Sequence, residues 1–311
     1  MTGSSSPAAE HQPATPAIGL DYANQLLRLL AWPALLVSCC AILAIGFSRE
    51  AETLYFNLSY AWIIGWLILA ERKLGYRGRW QKPDGQLRVD LSHTLLNKGL
   101  VQLLIVTLIG AGALDDREPG FAAGYPLMLQ ILLGLLMAEF GLYWAHRIAH
   151  EWPPLWRFHA VHHSVRKLWL VNTGRFHFVD SFASVIASTV FLLLSGISMD
   201  AIVWISAITA YIGILTHCNV DMRCGALSYV FNTPQLHRWH HSTDPAIGNN
   251  NYGENLMLWD QLFDTFYFKP RAHVQAIGIS ERMPASFGGQ LWAPFVWKRY
   301  QAGPVDAAAD L

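Results

Sequence analysis

The stretch from Leu26 to Phe47, LLRLLAWPALLVSCCAILAIGF, is 22 residues of almost uninterrupted apolar sequence. At about 1.5 Å per helical residue it reaches across a hydrocarbon core of about 30 Å, and only a helix satisfies its backbone there without water. Arg28 lies close enough to the start to reach the headgroups with its stem buried, and Pro33 is placed to bend the helix near that end. The segment predicts a membrane span, and the rest of the chain repeats the signal.

A second candidate runs from Leu54 to Ala70, with Tyr55, Tyr60, Trp62 and Trp66 as interfacial aromatics, and is closed by Glu71, Arg72 and Lys73. The loop that follows, Glu71 to Asp90, holds Arg72, Lys73, Arg77, Arg79, Lys82 and Arg88, a basic excess that marks it as cytoplasmic. A third span is expected from Leu91 to Leu114, ending in Asp115, Asp116, Arg117 and Glu118. A fourth, Pro126 to Trp144, returns the chain to the cytoplasmic side just before His146. The apolar region Phe182 to Thr216, interrupted by Gly196 and Asp200, is too long for one span and predicts a helical hairpin or a re-entrant pair. The expected fold is all-α: a polytopic membrane helical bundle with a cytosolic, histidine-rich metal-binding cap.

Composition agrees. Hydrophobic residues make up 53% of the 311 and charged residues 14%, against roughly 25% in soluble domains. The 22 basic and 22 acidic residues cancel, leaving no global basic field of the kind that collects nucleic acid. Residues 1–20, rich in Ser, Ala, Pro and Thr, read as a disordered tail with no cleavable signal, and 21–311 as one integral membrane domain. Cys39, Cys40, Cys218 and Cys224 read as packing residues, since adjacent cysteines in an apolar segment suit no disulfide framework.

Of the thirteen histidines, ten fall between His146 and His241. They include three compact groups: His146 with His150; His159, His162 and His163; and His237, His240 and His241. On a helix, residues three or four apart share a face, so the first group aims two imidazoles at one point and each of the others offers an i, i+3, i+4 set. Imidazole suits iron, zinc, copper and nickel, and eight exceed what one ion uses, so a pair of metal ions is the simplest account. The competing reading, interfacial hydrogen bonding or proton sensing, leaves eight crowded polar rings without the partners burial demands. No His-Glu-x-x-His sequence supplies the base of a zinc hydrolase, and no phosphate-binding glycine loop is present.

The order of these groups, and the sequence Asn232-Thr-Pro-Gln-Leu-His237-Arg-Trp-His240-His241-Ser242, resemble the fatty acid hydroxylase and sterol desaturase superfamily of membrane di-iron oxygenases, over about Trp80 to Phe268. The resemblance implies two non-haem iron ions, O₂ as co-substrate and lipid C–H bonds as target. Carried onto this chain, it assigns metal ligation to His146, His150, His159, His162, His163, His237, His240 and His241. His217, before Cys218-Asn219, takes the place of a further ligand. His177, in a stretch where relatives have proline at the position of Phe178, stands between metal contact and a structural role beside Asp180. His93 reads as an interfacial hydrogen-bonding residue.

Groups that orient the ligands are sought among Asp180, Asn219 and Asp221, with Glu139, Asn232, Glu254 and Asp260 as further candidates. Tyr143, Trp144, Trp156, Phe158, Trp169, Phe176 and Trp239 are read as cavity-lining or belt aromatics. No fused haem, flavin or iron–sulfur motif is visible, so electrons are expected from a partner, a ferredoxin or a small cytochrome with its reductase. Arg147, Arg157, Arg166, Lys167, Arg175, Arg223 and Arg238 give the cap a basic surface for that partner or for anionic lipid. The expected activity is hydroxylation or desaturation of a membrane lipid, a fatty acyl chain, sterol or isoprenoid, in a bacterial inner membrane or an endoplasmic-reticulum-like one. Ether-lipid cleavage by hydroxylation beside the ether oxygen is the alternative. A metal sensor or transporter fits less well, since the histidines sit at span ends and do not line a route through the bilayer.

Overall fold

The computed structural model describes residues 18–101, 103, 120–270 and 272–301. Its described residues include five helices long and apolar enough to span a membrane: α1 (Ile18–Ser48), α2 (Glu52–Lys73), α4 (Leu127–Glu151), α6 (Phe178–Ser195) and α7 (Met199–Thr216). The shorter helices include α3 (Leu87–Ser92), α5 (Pro153–His163) and α8 (Pro234–His240). The protein is an all-α polytopic membrane bundle that carries its histidine groups at one end. Ile18 already belongs to α1, three residues inside the expected tail; the rest of that tail lies outside the described residues.

Helices α1 and α2 form one pair, α4 and α6 another, and α7 touches α1, α2 and α4. On α1, Trp32, Leu35, Cys39 and Leu43 recur at three- and four-residue spacing and face Ile63, Leu67 and Ala70 of α2 and Tyr211 and Leu215 of α7. Cys39, Cys218 and Cys224 are buried and free, as packing residues should be. The opposite stripe shows the lipid-facing side. Phe178, Phe182, Ile186, Val190 and Leu194, at strict four-residue spacing on α6, are 40–63% exposed, an apolar ridge for which water would be a poor solvent.

The region Phe182 to Thr216 is a helical hairpin. Gly196 ends α6 in the left-handed conformation at φ 63°, and a Cβ there would collide with the backbone of Gly120. Ser198 then caps α7, accepting from the Ala201 N–H, and Asp200 complements the positive end of the helix. Both arms have 18 residues, about 27 Å, close to a full span. The expected third span starts in α3, widens into a π-helical turn at His93–Lys98, and its remainder beyond residue 103 lies outside the described residues, as do Asp115 to Glu118.

Two features set the geometry of the metal-binding end. Helix α4 does not stop at Trp144 but continues to Glu151, so His146 and His150 sit on the last turns of a spanning helix. Trp152 then takes an extended conformation, and Pro153 and Pro154 restart the chain as α5, where a missing N–H costs nothing.

Candidate metal centre

Helices α4, α5 and α8 and the C-terminal end of α7 converge so that nine imidazoles form two groups. His146, His150, His159, His163 and His240 make one, and His162, His217, His237 and His241 the other; in each, the candidate ligand atoms lie within 4.8 Å of one another. All are buried except His150, which is partly exposed.

The ring nitrogens divide into two sets by their partners. Nδ1 of His146, His162 and His240 each meet a backbone carbonyl, that of Tyr252 at 2.7 Å, Arg175 at 3.1 Å and Asn250 at 2.8 Å. His159 Nδ1 lies 2.9 Å from Asp180 Oδ2, His150 Nδ1 3.1 Å from Asn249 Oδ1, and His217 Nδ1 3.3 Å from Asn172 Oδ1. A carbonyl or carboxylate only accepts, so these Nδ1 atoms carry the hydrogen and the Nε2 lone pairs are free. Those lone pairs face one another. Nε2 of His163 lies 3.1 Å from Nε2 of both His150 and His159, and Nε2 of His241 lies 3.1 Å from that of both His162 and His237. Nε2 of His146 and of His240 are buried without a hydrogen-bond partner.

Neutral imidazoles do not gather lone pair to lone pair without a cation between them. Nitrogens bound at about 2.1 Å to one ion, at right angles, stand about 3.0 Å apart, close to the spacing observed. Burial and the neighbouring rings push the pKa of His162, His163, His240 and His241 well down, and that of His237 to about 3, so these five rings are held in their metal-binding, unprotonated form. The donor set therefore fits a pair of iron ions, one to each group. Aromatic walls complete it: Phe176 stacks on His162 with centroids 4.0 Å apart, and Trp156 lies 5.2 Å from His150.

The carbonyls that orient His146 and His240 belong to the loop between residues 249 and 255, and two buried carboxylates hold that loop. Glu139, one face of α4, accepts the N–H groups of Glu254 at 2.6 Å and Asn255 at 3.0 Å and the Asn255 amide at 2.8 Å. Asp260 accepts the N–H groups of Tyr252 and Gly253 and the Thr265 hydroxyl, all within 2.8 Å. Burial pushes the Asp260 carboxyl up to about 6 against these donors. Asn232 donates to the Gly253 carbonyl at 2.8 Å.

Of the residues singled out in the sequence as orienting groups, Asp180 touches a ring of the centre, while two others act elsewhere. Asn219 accepts from the Arg77 N–H and donates to the Arg77 carbonyl, tying the basic loop to the cap. Asp221 is in neither group; it forms an ion pair with Arg28 and lies 3.5 Å from Arg223. His177 is also in neither group: it caps α6, accepting from the Val179 N–H, and its Nε2 lies 3.2 Å from the Leu291 carbonyl. His93 reaches the Phe176 carbonyl and Gln290. Among the aromatics, Trp239 packs with Trp80 and Tyr267, away from the rings. Asn172 and Asn249, which also meet rings of the centre, were not among the expected orienting groups; their only signal in the sequence is an amide side chain beside a histidine-bearing segment.

The fatty acid hydroxylase family model matches residues 131–265. An ornithine lipid hydroxylase of Rhizobium tropici is 45% identical over 275 residues, covering 86% of this chain and 83% of the relative. An alkylglycerol monooxygenase of Danio rerio is 29% identical over 79% of this chain and 55% of its own length. A probable Delta(7)-sterol 5(6)-desaturase of Neurospora crassa is 29% identical over 51% and 44%. No solved structure gives a significant match.

Proposed function

This chain belongs to the fatty acid hydroxylase and sterol desaturase superfamily, and from that premise we propose that it hydroxylates a polar membrane lipid with an amino-acid headgroup, of the ornithine-lipid kind. It is a membrane-bound, histidine-coordinated di-iron oxidoreductase acting on a lipid C–H bond. The carrying observation is the 45% likeness to the ornithine lipid hydroxylase, which runs through 83% of that relative. The alkylglycerol monooxygenase, whose name supports the ether-lipid reading, is matched over 55% of its length, and the desaturase over 44%.

In the proposed reaction a C–H bond, O₂, two electrons and two protons give C–OH and water. The metal pair, when bound, supplies the activation of O₂ and the removal of hydrogen from carbon. The protein's part is positional. Asp180, Asn172, Asn249 and the carbonyls of Tyr252, Arg175 and Asn250 fix the imidazole planes, so ligation needs little rearrangement. The bundle offers apolar surface for the acyl chains, and the histidine end stands where a headgroup would reach it. The centre faces the cytoplasm in this reading, because the basic loop after α2 is bound to the cap: Arg77 donates to the carbonyls of Val274 and Gln275. Electrons come from a ferredoxin or small cytochrome with its reductase, received on the exposed Arg166 and Arg223 and the part-exposed Arg147 and Arg157; Lys167, Arg175 and Arg238, expected on the same surface, are buried.

The test is expression in a bacterium that makes ornithine lipids but has no hydroxylase for them, grown under ¹⁸O₂. Mass spectra of the lipid extract should show one labelled oxygen added to the ornithine lipid. Unchanged ornithine lipid, or loss of supplied alkylglycerol with release of aldehyde, would contradict the proposal.

A further inference from the structure

Helix α8 has two working sides. His237, His240 and His241 face the metal groups, while Gln235, Arg238 and Trp239 line a separate cavity of about 370 Å³ on the other side. Its wall is cationic: Arg223, Arg238 and Lys269 line it together with Asp221, and Arg28 reaches the same carboxylate. Asp221 is already shared between Arg28 and Arg223, so this one carboxylate pairs with two of the four cations and leaves Arg238 and Lys269 without an ion pair.

Arg238 is the most deeply buried of them. It is 3% exposed, donates from Nη2 to the Val220 carbonyl at 2.6 Å, and stacks 3.9 Å over Tyr76, but its Nε has no hydrogen-bond partner. No carboxylate pairs with Arg238 or Lys269 among the described residues. Arg238 lines the cavity as a buried guanidinium without an ion-pair partner, a costly arrangement that an anion in the cavity relieves. The cavity also has an apolar edge. Leu29 of α1 lines it, and Leu26 and Leu30 beside it are 56% and 50% exposed, at the membrane end of the first span.

We infer that this cavity binds the headgroup of a phospholipid with net negative charge, its phosphate on Arg238, Arg223 and Lys269 and its chains along the exposed leucines of α1. Phosphate chemistry suits a fork of guanidinium donors with an ammonium beside it, and the leucines give a use for acyl chains that a free ion lacks. The bound lipid joins α1, the loop after α7 and α8, and so braces the far side of the helix that carries three of the nine histidines.

The test titrates metal-loaded protein in dodecyl maltoside with dioctanoyl phosphatidylglycerol and follows the thermal unfolding midpoint. Dioctanoyl phosphatidylcholine and inorganic phosphate are the parallel arms, and the exposed variants Lys269→Gln and Arg223→Gln are used because Arg238 is buried; circular dichroism checks their fold. The expected result is a saturable rise with phosphatidylglycerol alone, its half-saturation shifted about tenfold in each variant, the scale of one charge-assisted contact. An equal rise with phosphatidylcholine, or variants that respond like the parent, would overturn the site. An equal rise with inorganic phosphate would overturn the lipid as occupant.

Discussion

His162 and His163 are consecutive on one turn of α5, yet their imidazoles serve different groups, with ring centroids 5.3 Å apart and planes at 78°. Consecutive helical residues point about 100° apart, so a single His-His step divides its rings between two neighbouring points. His240 and His241 repeat the device at the end of α8, with planes at 88°. Two short helices thus knit both groups into one unit, and the rings of His163 and His241 stack across the divide at 4.3 Å.

Asp180 fixes the plane of His159 through a 2.9 Å contact to Nδ1. Its replacement by alanine should weaken metal retention by about 10- to 100-fold, and Asp180→Asn, which keeps an acceptor, by less. Competition with a chelator, read as metal per chain against chelator concentration, checks this; equal retention in all three proteins would contradict it.

Glu139 serves three donors of the loop that orients His146 and His240. Glu139→Ala should cost about 3 kcal/mol or more, because buried N–H groups lose their acceptor. Glu139→Gln keeps one oxygen, and the Asn255 amide can turn to meet it, so the loss should be smaller. Thermal unfolding with metal content measured alongside distinguishes the two; an alanine variant as stable as the parent is the contrary result.

Gly141 lets α4 lie directly on α6, since a Cβ there would meet the Ala187 carbonyl, backbone against helix. Gly141→Ala should lower stability by about 1–3 kcal/mol by forcing the helices apart. Gly213→Ala, in open space on α7, should cost nothing. Matched denaturation curves in detergent test the contrast, which fails if both variants behave alike.

The histidine groups were legible because helical spacing turns sequence into direction: i, i+3 and i+4 need no knowledge of the rest of the fold. The hairpin of α6 and α7 was legible for a similar reason, since Gly196 and Asp200 break a run too long for one span. Residues whose partners are distant in sequence were not. Nothing local tells that Asp221 pairs with Arg28, 193 positions away, or that the Tyr252 carbonyl receives His146. His177 has the right residue type and a nearby acid, but its place at the start of α6 turns its ring to Val179 and Leu291. The apolar run of the fourth span ends at Trp144, whereas its helical hydrogen bonding continues until Trp152 leaves the helical conformation.

Orientation is open to a direct check. Arg79 lies exposed in the basic loop and Thr243 is exposed two residues after His241. Single cysteines at both positions should react with an impermeant maleimide only after cells are permeabilised; labelling of either in intact cells would contradict a cytoplasmic centre.

The central claim is that the nine imidazoles hold two iron ions, one to each group. Its most direct test is iron counted per chain after anaerobic reconstitution, in the parent and in His162→Ala and His163→Ala. Two irons per chain in the parent, and about one in each variant, is the predicted result. A parent that holds one or none, or variants whose iron content is unchanged, would contradict it.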